Sequence, residues 1–313
     1  MSHSPTLPCA EKGTVSKEAK QGHMLALFSI LIWGTTFIST TVLLKAFLPS
    51  EILFFRMVIA IATLYLVRPK RLRLQSRKHE RYFAGAGLCG VTLYFLLENI
   101  ALTYTTSGNC SVIISTAPFF VALAVHLFLK TEHLSRHFFI GFGAAIAGIC
   151  LISFSGQQMQ LNPLGDLLCI LAAMSWGGYS VFIKKIDAYG YDTLLVTRRI
   201  FLYGLLFLLP ALPFIGFSPN LESLLVPVYL FNFLYLGLGA SALCFVTWNT
   251  AVKQLGAVKT SVYIYISPVI TIFAAWLLLR DPILPMSLLG AGLTLLGLII
   301  SQRGTRRSEA HSS

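Results

Sequence analysis

The chain has 313 residues, 56% of them apolar and only 12% charged, with a formal net charge of +12. A soluble domain carries about 25% charged residues, and disorder needs low hydrophobicity, so both classes are excluded. A nucleic-acid binder shares the charge but not the apolarity, which leaves a polytopic membrane protein and no nucleic-acid partner.

A helix needs roughly 20 apolar residues to cross the hydrocarbon of a bilayer. Residues 1–22 are polar and are expected to form a disordered tail. Ten apolar runs follow, at 23–44, 51–67, 82–103, 107–129, 137–155, 165–183, 194–215, 227–247, 257–279 and 285–302. They are too long, and alternate too little, to be barrel strands of about 10 residues. The expected fold is therefore all-α and integral to the membrane, with ten transmembrane helices. The first run follows a polar stretch without a convincing small-residue cleavage site, so it reads as a span and not a signal peptide. Residues 303–313 form a second polar tail.

Lys and Arg in short loops stay on the cytoplasmic side. One set of alternate connections and tails holds 19 basic residues, from Lys12 to Arg307, and the opposite set holds Lys45 and Arg280. Both termini are thus expected in the cytoplasm, which requires an even number of spans.

The two halves resemble each other. A shift of 143 places Trp33-Gly34 on Trp176-Gly177 and Arg56 on Arg199. A shift of 150 aligns 86–135 with 236–285 without a gap, pairing Phe95 with Phe245, Asn99 with Asn249 and Pro118 with Pro268. A shift of 149 pairs Gly141, Gly143 and Gly148 with Gly290, Gly292 and Gly297. The units are expected over 23–155 and 165–302. Each would hold five spans, an odd number, so the second enters the membrane inverted. Inverted repeats are a frequent plan of secondary transporters, with the substrate near the midplane between the units.

The repeat picks out candidate residues for a substrate pathway. Trp33 and Trp176 lie roughly 15 Å into their spans, far from the interfacial belt that Trp favours. They read as walls of a central cavity, or as ordinary packing. Pro118 and Pro268 each remove an amide donor and free the carbonyl at Ile114 and Ile264; they mark bending helices, or simple kinks. Glu98 lies about 24 Å along the third span. A carboxylate at such depth is a functional candidate, for a cation or a proton, unless it reaches the far interface. Asn99 and Asn249 line vestibules or bond helix to helix. Arg56 and Arg199 sit near the starts of the second and seventh spans. They reach for headgroups or for a substrate carboxylate. The six glycines of the fifth and tenth spans read as packing surfaces, within the chain or between copies in a homodimer.

Motifs for other chemistry are missing from the sequence. The cysteines are scattered with no C-x-x-C, and His133 and His137 lack a third ligand nearby, so no metal is expected. No nucleotide-binding or hydrolase motif occurs, and no cofactor is expected.

The segments "IWGTTFI" at the first span, "FFR" at the second, "TAPFFVALAVHLFLKTEHLS" across the fourth and "WNTAVKQLGAVKTSVYIYISPVITIFAAWLLLRD" across the eighth and ninth resemble the drug/metabolite transporter superfamily, specifically its ten-span EamA-type members. The resemblance covers 23–302. It implies two inverted five-helix EamA repeats around a cavity lined by spans one, three, four, six, eight and nine. It also implies export of amino acids, other metabolites or toxic compounds through the bacterial inner membrane. Members often carry Glu after span nine; this chain has Arg280-Asp281 there and keeps Glu132 in the first repeat. The expected activity is a secondary exporter of small polar metabolites such as amino acids, working by alternating access. The alternatives are a sugar-phosphate, nucleotide-sugar or drug permease of the same superfamily, or a membrane-embedded enzyme or scaffold. More than one basic group facing the cavity would favour the phosphorylated substrates. A packed centre with Trp33 and Trp176 facing lipid would favour the enzyme or scaffold.

Overall fold

The computed structural model describes residues 11–130, 136–156, 162–279 and 285–309. They form helices α1 (Lys17–Leu43, continuous with a helical stretch from Glu11), α2 (Pro49–Val67), α3 (Arg77–Tyr104) and α4 (Ser107–Leu129). There follow α5 (Arg136–Gly156), α6 (Pro163–Asp187), α7 (Thr193–Ile215) and α8 (Pro227–Leu255). The stretch α9 has three pieces, Ala257–Ser261, Val262–Ile266 and Ser267–Leu279, and α10 is Pro285–Glu309. Seven of these helices, α1 to α4 and α6 to α8, are long and apolar enough to cross a membrane. No strand occurs among the described residues. The chain is an all-α, multi-pass membrane protein. The first helix departs from expectation. It begins at Glu11, so residues 11–22 are helical where the polar composition predicts a disordered tail; Gln21 and His23 contact Gln254 and Tyr263 and hold it.

The packing pairs are twofold. Helix α1 packs on α8 and α6 on α3; α2 packs on α8 and α7 on α3; α4 packs on α6 and α9 on α1. Swapping the halves turns each pair into the other. Helices α5 and α10 pack on each other. Their contact is made by small residues. A Cβ added at Gly141 would lie 2.5 Å from the Gly297 carbonyl, and one at Gly297 would lie 2.5 Å from that of Gly141. One at Gly148 would lie 2.5 Å from the Gly290 carbonyl. These glycines serve close approach within the chain, whereas Gly143 and Gly292 face open space.

Two local features position the centre. Residues Leu88–Leu93 of α3 and Tyr235–Leu243 of α8 are π-helical, at matching places in the halves. Such widened turns re-aim side chains and carbonyls. The second feature is at the prolines. Helix α4 is broken after Ile114 and restarts at Ala117; the last piece of α9 restarts at Ser267. Pro118 and Pro268 are the second residues of these new pieces, where no amide donor is needed. Helix α4 is thus interrupted just before Pro118, whereas α9 passes from a 3-10 stretch into an α-helix just before Pro268 without interruption.

Candidate functional site: a central aromatic cavity with one Arg and one Glu

The Trp-Gly pairs are built by close helix approach. A Cβ on Gly34 would lie 2.7 Å from Ile270 of α9, and one on Gly177 would lie 2.9 Å from the Phe120 carbonyl of α4. Only glycine allows α1 and α6 to sit so near their neighbours. That brings Trp33 and Trp176 together at the centre, their rings 5.5 Å apart and edge to face at 89°. Phe245 meets both rings, and Trp248 lies 5.0 Å from Trp33. The Trp33 indole donates to the Ala240 carbonyl in the π-helical stretch of α8 at 2.8 Å.

Trp33, Trp176 and Phe245 border a cavity of ≈ 40 Å³, room for a few waters. Four matched pairs line it: Trp33 with Trp176, Phe95 with Phe245, Ile114 with Ile264, and Ala117 with Ser267. The residues just ahead of each proline thus reach the cavity, while Pro118 and Pro268 themselves are buried behind it. The remaining lining comes only from the first half, and includes Thr36, Arg56, Tyr94 and Glu98. The second-half counterparts of Arg56 and Glu98 are Arg199 and Trp248, and neither lines the cavity. The space is therefore displaced toward the end of the molecule opposite the basic loops.

Arg56 is 1% exposed and does not reach for the surface. Its guanidinium lies 3.8 Å over the Phe95 ring, and its Nε donates to Ser241 Oγ at 2.5 Å. Its Nη1 has no hydrogen-bond partner, nor does the buried Trp176 Nε1. Glu98 is 2% exposed, so it does not reach the far interface either. Tyr94 stands one turn before it, and both share the cavity with Arg56. Arg199 behaves differently. It pairs with Glu80 at 2.5 Å, and the Tyr203 hydroxyl donates to the same carboxylate oxygen.

The two asparagines bond helix to helix. Asn249 accepts from the Tyr179 hydroxyl at 2.7 Å and donates to Thr197 Oγ1 at 3.1 Å. This ties α6, α7 and α8 together on the basic side of the cavity. Asn99 donates to the Pro49 carbonyl at 3.2 Å, and its Oδ1 has no partner. The repeat matches Tyr179 to Thr36, whose hydroxyl turns back to the Trp33 carbonyl. Asn249 thus bonds with both ends of its amide, and Asn99 with one.

Sequence reasoning missed the π-helical stretches and Tyr94, since no spacing marks them. It also read the cysteines as scattered, while Cys110 and Cys169 bring their sulfurs to 3.2 Å between α4 and α6. Glu132, His133, Arg280 and Asp281 lie outside the described residues.

The family model of the EamA-like transporter family matches residues 20–154 and again 163–302. A transporter of unassigned substrate from Archaeoglobus fulgidus is 30% identical over 83% of this chain and 90% of its own length. A probable terminal-alkyne amino-acid exporter from Streptantibioticus cattleyicolor is 27% identical over 91% of this chain and 95% of its own. A probable amino-acid metabolite efflux pump from Salmonella typhimurium is 25% identical over 92% and 97%. A protein of known crystal structure superposes with a TM-score of 0.72 at 20% identity, over 93% of this chain and 99% of that one; this likeness concerns the fold.

Proposed function

From the premise that this chain belongs to the EamA-like transporter family, we propose that it exports small zwitterionic metabolites of the amino-acid class. The observation that carries this reading is that an incompletely bonded guanidinium and a carboxyl group line one aromatic cavity. Arg56 Nη1 and Trp176 Nε1 are buried donors without partners, and a substrate carboxylate would supply the acceptor. Glu98, with the faces of the surrounding rings, would hold the ammonium group. Buried charges inside a membrane are costly and are kept for substrate or ion. The names of the relatives from Streptantibioticus cattleyicolor and Salmonella typhimurium support the substrate class.

A phosphorylated substrate would call for a second cation on the cavity, and Arg199 lies away from it. An enzyme or scaffold would call for Trp33 and Trp176 on the lipid side, and both line the cavity.

The loops rich in Lys and Arg lie in the cytoplasm, in the inner membrane of a bacterium. The cavity then sits toward the outer half of the bilayer, above a closed cytoplasmic latch of Tyr179, Asn249 and Thr197. Alternating access exchanges this arrangement for its inverted twin, in which Asn99 completes the outer latch. The two five-helix units, 23–155 and 165–302, rock against each other about the aromatic centre. Glu98 gives up or takes a proton as it binds and releases the ammonium group. A volume of ≈ 40 Å³ is too small for an amino acid, so Trp33 and Trp176 part on binding.

The test is counterflow in proteoliposomes containing the purified chain, across a panel of amino acids, their amides and their decarboxylated amines. Zwitterions should exchange, while the amides and amines should not. Exchange of amines alone, or of phosphorylated sugars alone, would overturn the reading.

A further inference from the structure

A second cavity lies away from the centre. It is a groove of ≈ 630 Å³ between α2 and α7, at the basic end of both helices. Its walls include Ile61, Ala62, Leu202 and Leu205. Leu202 is 48% exposed and the neighbouring Leu206 57% exposed, so the groove opens sideways, where a bilayer would be. Leu205 lies twelve residues past Thr193, about 18 Å along α7. The groove therefore runs from the basic end toward mid-membrane.

Its mouth is cationic. Arg71, Arg198 and Arg199 line it, and among the described residues no carboxylate does, although Glu80 pairs with Arg199 beside it. Arg198 is fixed. It donates to the backbone carbonyls of Arg68, at 2.7 Å, and of Lys70, and its guanidinium lies 5.2 Å from the centre of the Tyr65 ring. That grip pins the extended segment after α2, and so holds the exposed Arg71 at the mouth. Arg199 uses Nε and Nη2 on Glu80 and keeps a side chain 29% exposed. The arrangement is thus a rigid cationic rim above an apolar slot in the plane of the lipids.

We propose that this groove binds an anionic phospholipid of the cytoplasmic leaflet, with the headgroup phosphate on Arg71 and Arg199 and one acyl chain along Ile61, Ala62 and Leu202. Basic pockets between helices on that side suit anionic headgroups, and the apolar walls suit a chain and not water. The site bridges one helix of each half, so an occupant would touch both moving units. It does not depend on the substrate class proposed above.

Native mass spectrometry of the detergent-purified chain tests this, with equal amounts of dioleoyl phosphatidylglycerol and dioleoyl phosphatidylcholine added. The wild type should retain the anionic lipid about fivefold over the zwitterionic one. Arg71→Glu should abolish that preference through charge, and Leu202→Trp should abolish lipid retention by filling the slot. Arg73→Glu, on the same exposed segment but off the groove, should leave the preference intact. Thermal unfolding with inorganic phosphate separates a lipid from a free anion, and phosphate alone should not raise the midpoint. Equal retention of both lipids by the wild type would overturn the proposal. So would a preference that survives both groove variants, a preference lost equally in Arg73→Glu, or stabilisation by phosphate alone. Counterflow of each variant distinguishes this result from a failure of the transport reading, because lipid retention is measured without substrate.

Discussion

Arg56 and Arg199 stand at matching positions in the two halves, yet only Arg199 has a carboxylate, Glu80, within 2.5 Å. Arg56 lies on the Phe95 ring instead, with Nη1 unbonded, and shares a cavity with Glu98. The repeat is symmetric in backbone and asymmetric in charge. Arg199 has an anionic partner within the fold, whereas Arg56 keeps an unpaired donor on the central cavity.

Replacing Arg56 is the most direct check of that difference. Arg56→Ala should cut counterflow of a zwitterion at least tenfold, the equivalent of ~1.4 kcal/mol. Arg56→Lys should not restore it, because an ammonium cannot both bond Ser241 and offer a planar fork to a carboxylate. Wild-type exchange by Arg56→Ala would remove the guanidinium from the substrate site.

Glu98→Gln separates exchange from coupling. The amide is close in size but holds no charge and takes no proton. Transport driven by a pH gradient should fall at least about tenfold. Accumulation in proteoliposomes with and without the gradient measures this. Unchanged gradient-driven uptake would exclude proton coupling through this carboxylate.

The closed latch predicts a shift in conformation. Tyr179→Phe removes the 2.7 Å bond to Asn249, which contributes about 1 kcal/mol. The basic side should open more often, by roughly fivefold. Hydrogen exchange at 193–200 and 244–255 should quicken accordingly. Unaltered exchange there would mean that the bond does not hold the cavity shut.

The glycines of α5 and α10 should divide into two groups. Gly148→Val places methyl groups where a Cβ already meets the Gly290 carbonyl at 2.5 Å, and should cost about 1–3 kcal/mol. Gly143→Ala adds its methyl to open space and should leave the thermal midpoint of the purified protein unchanged. A large loss at Gly143 would instead indicate a second surface pressed against that face, as in a homodimer.

Much of the central cavity was legible in the sequence because its determinants are periodic or repeated. A shift of 143 alone brings Trp33 and Trp176 into register, and Glu98 is conspicuous because hydrocarbon makes any acid expensive. The prolines were legible only as interruptions; that they open new helical pieces and bring Ile114 and Ile264 to the cavity depends on backbone geometry. Tyr94 carries no signal at all, since an aromatic residue in an apolar span is ordinary. The helical start at Glu11 was hidden because residues 11–22 are polar, and only the contacts of Gln21 and His23 with distant partners explain it.

The amino-acid order by itself determined the membrane class, the basic side and the doubled plan, because hydrophobic length, loop charge and self-similarity are properties of the chain read along one dimension. Tertiary structure alone decided which of the matched residues are alike in role. Whether Arg56 or Arg199 finds a carboxylate, and whether Asn99 or Asn249 bonds with both ends of its amide, depends on what stands opposite after folding. Two similar halves packed on each other give matched residues different neighbours, and the free energy of a buried charge is set by those neighbours.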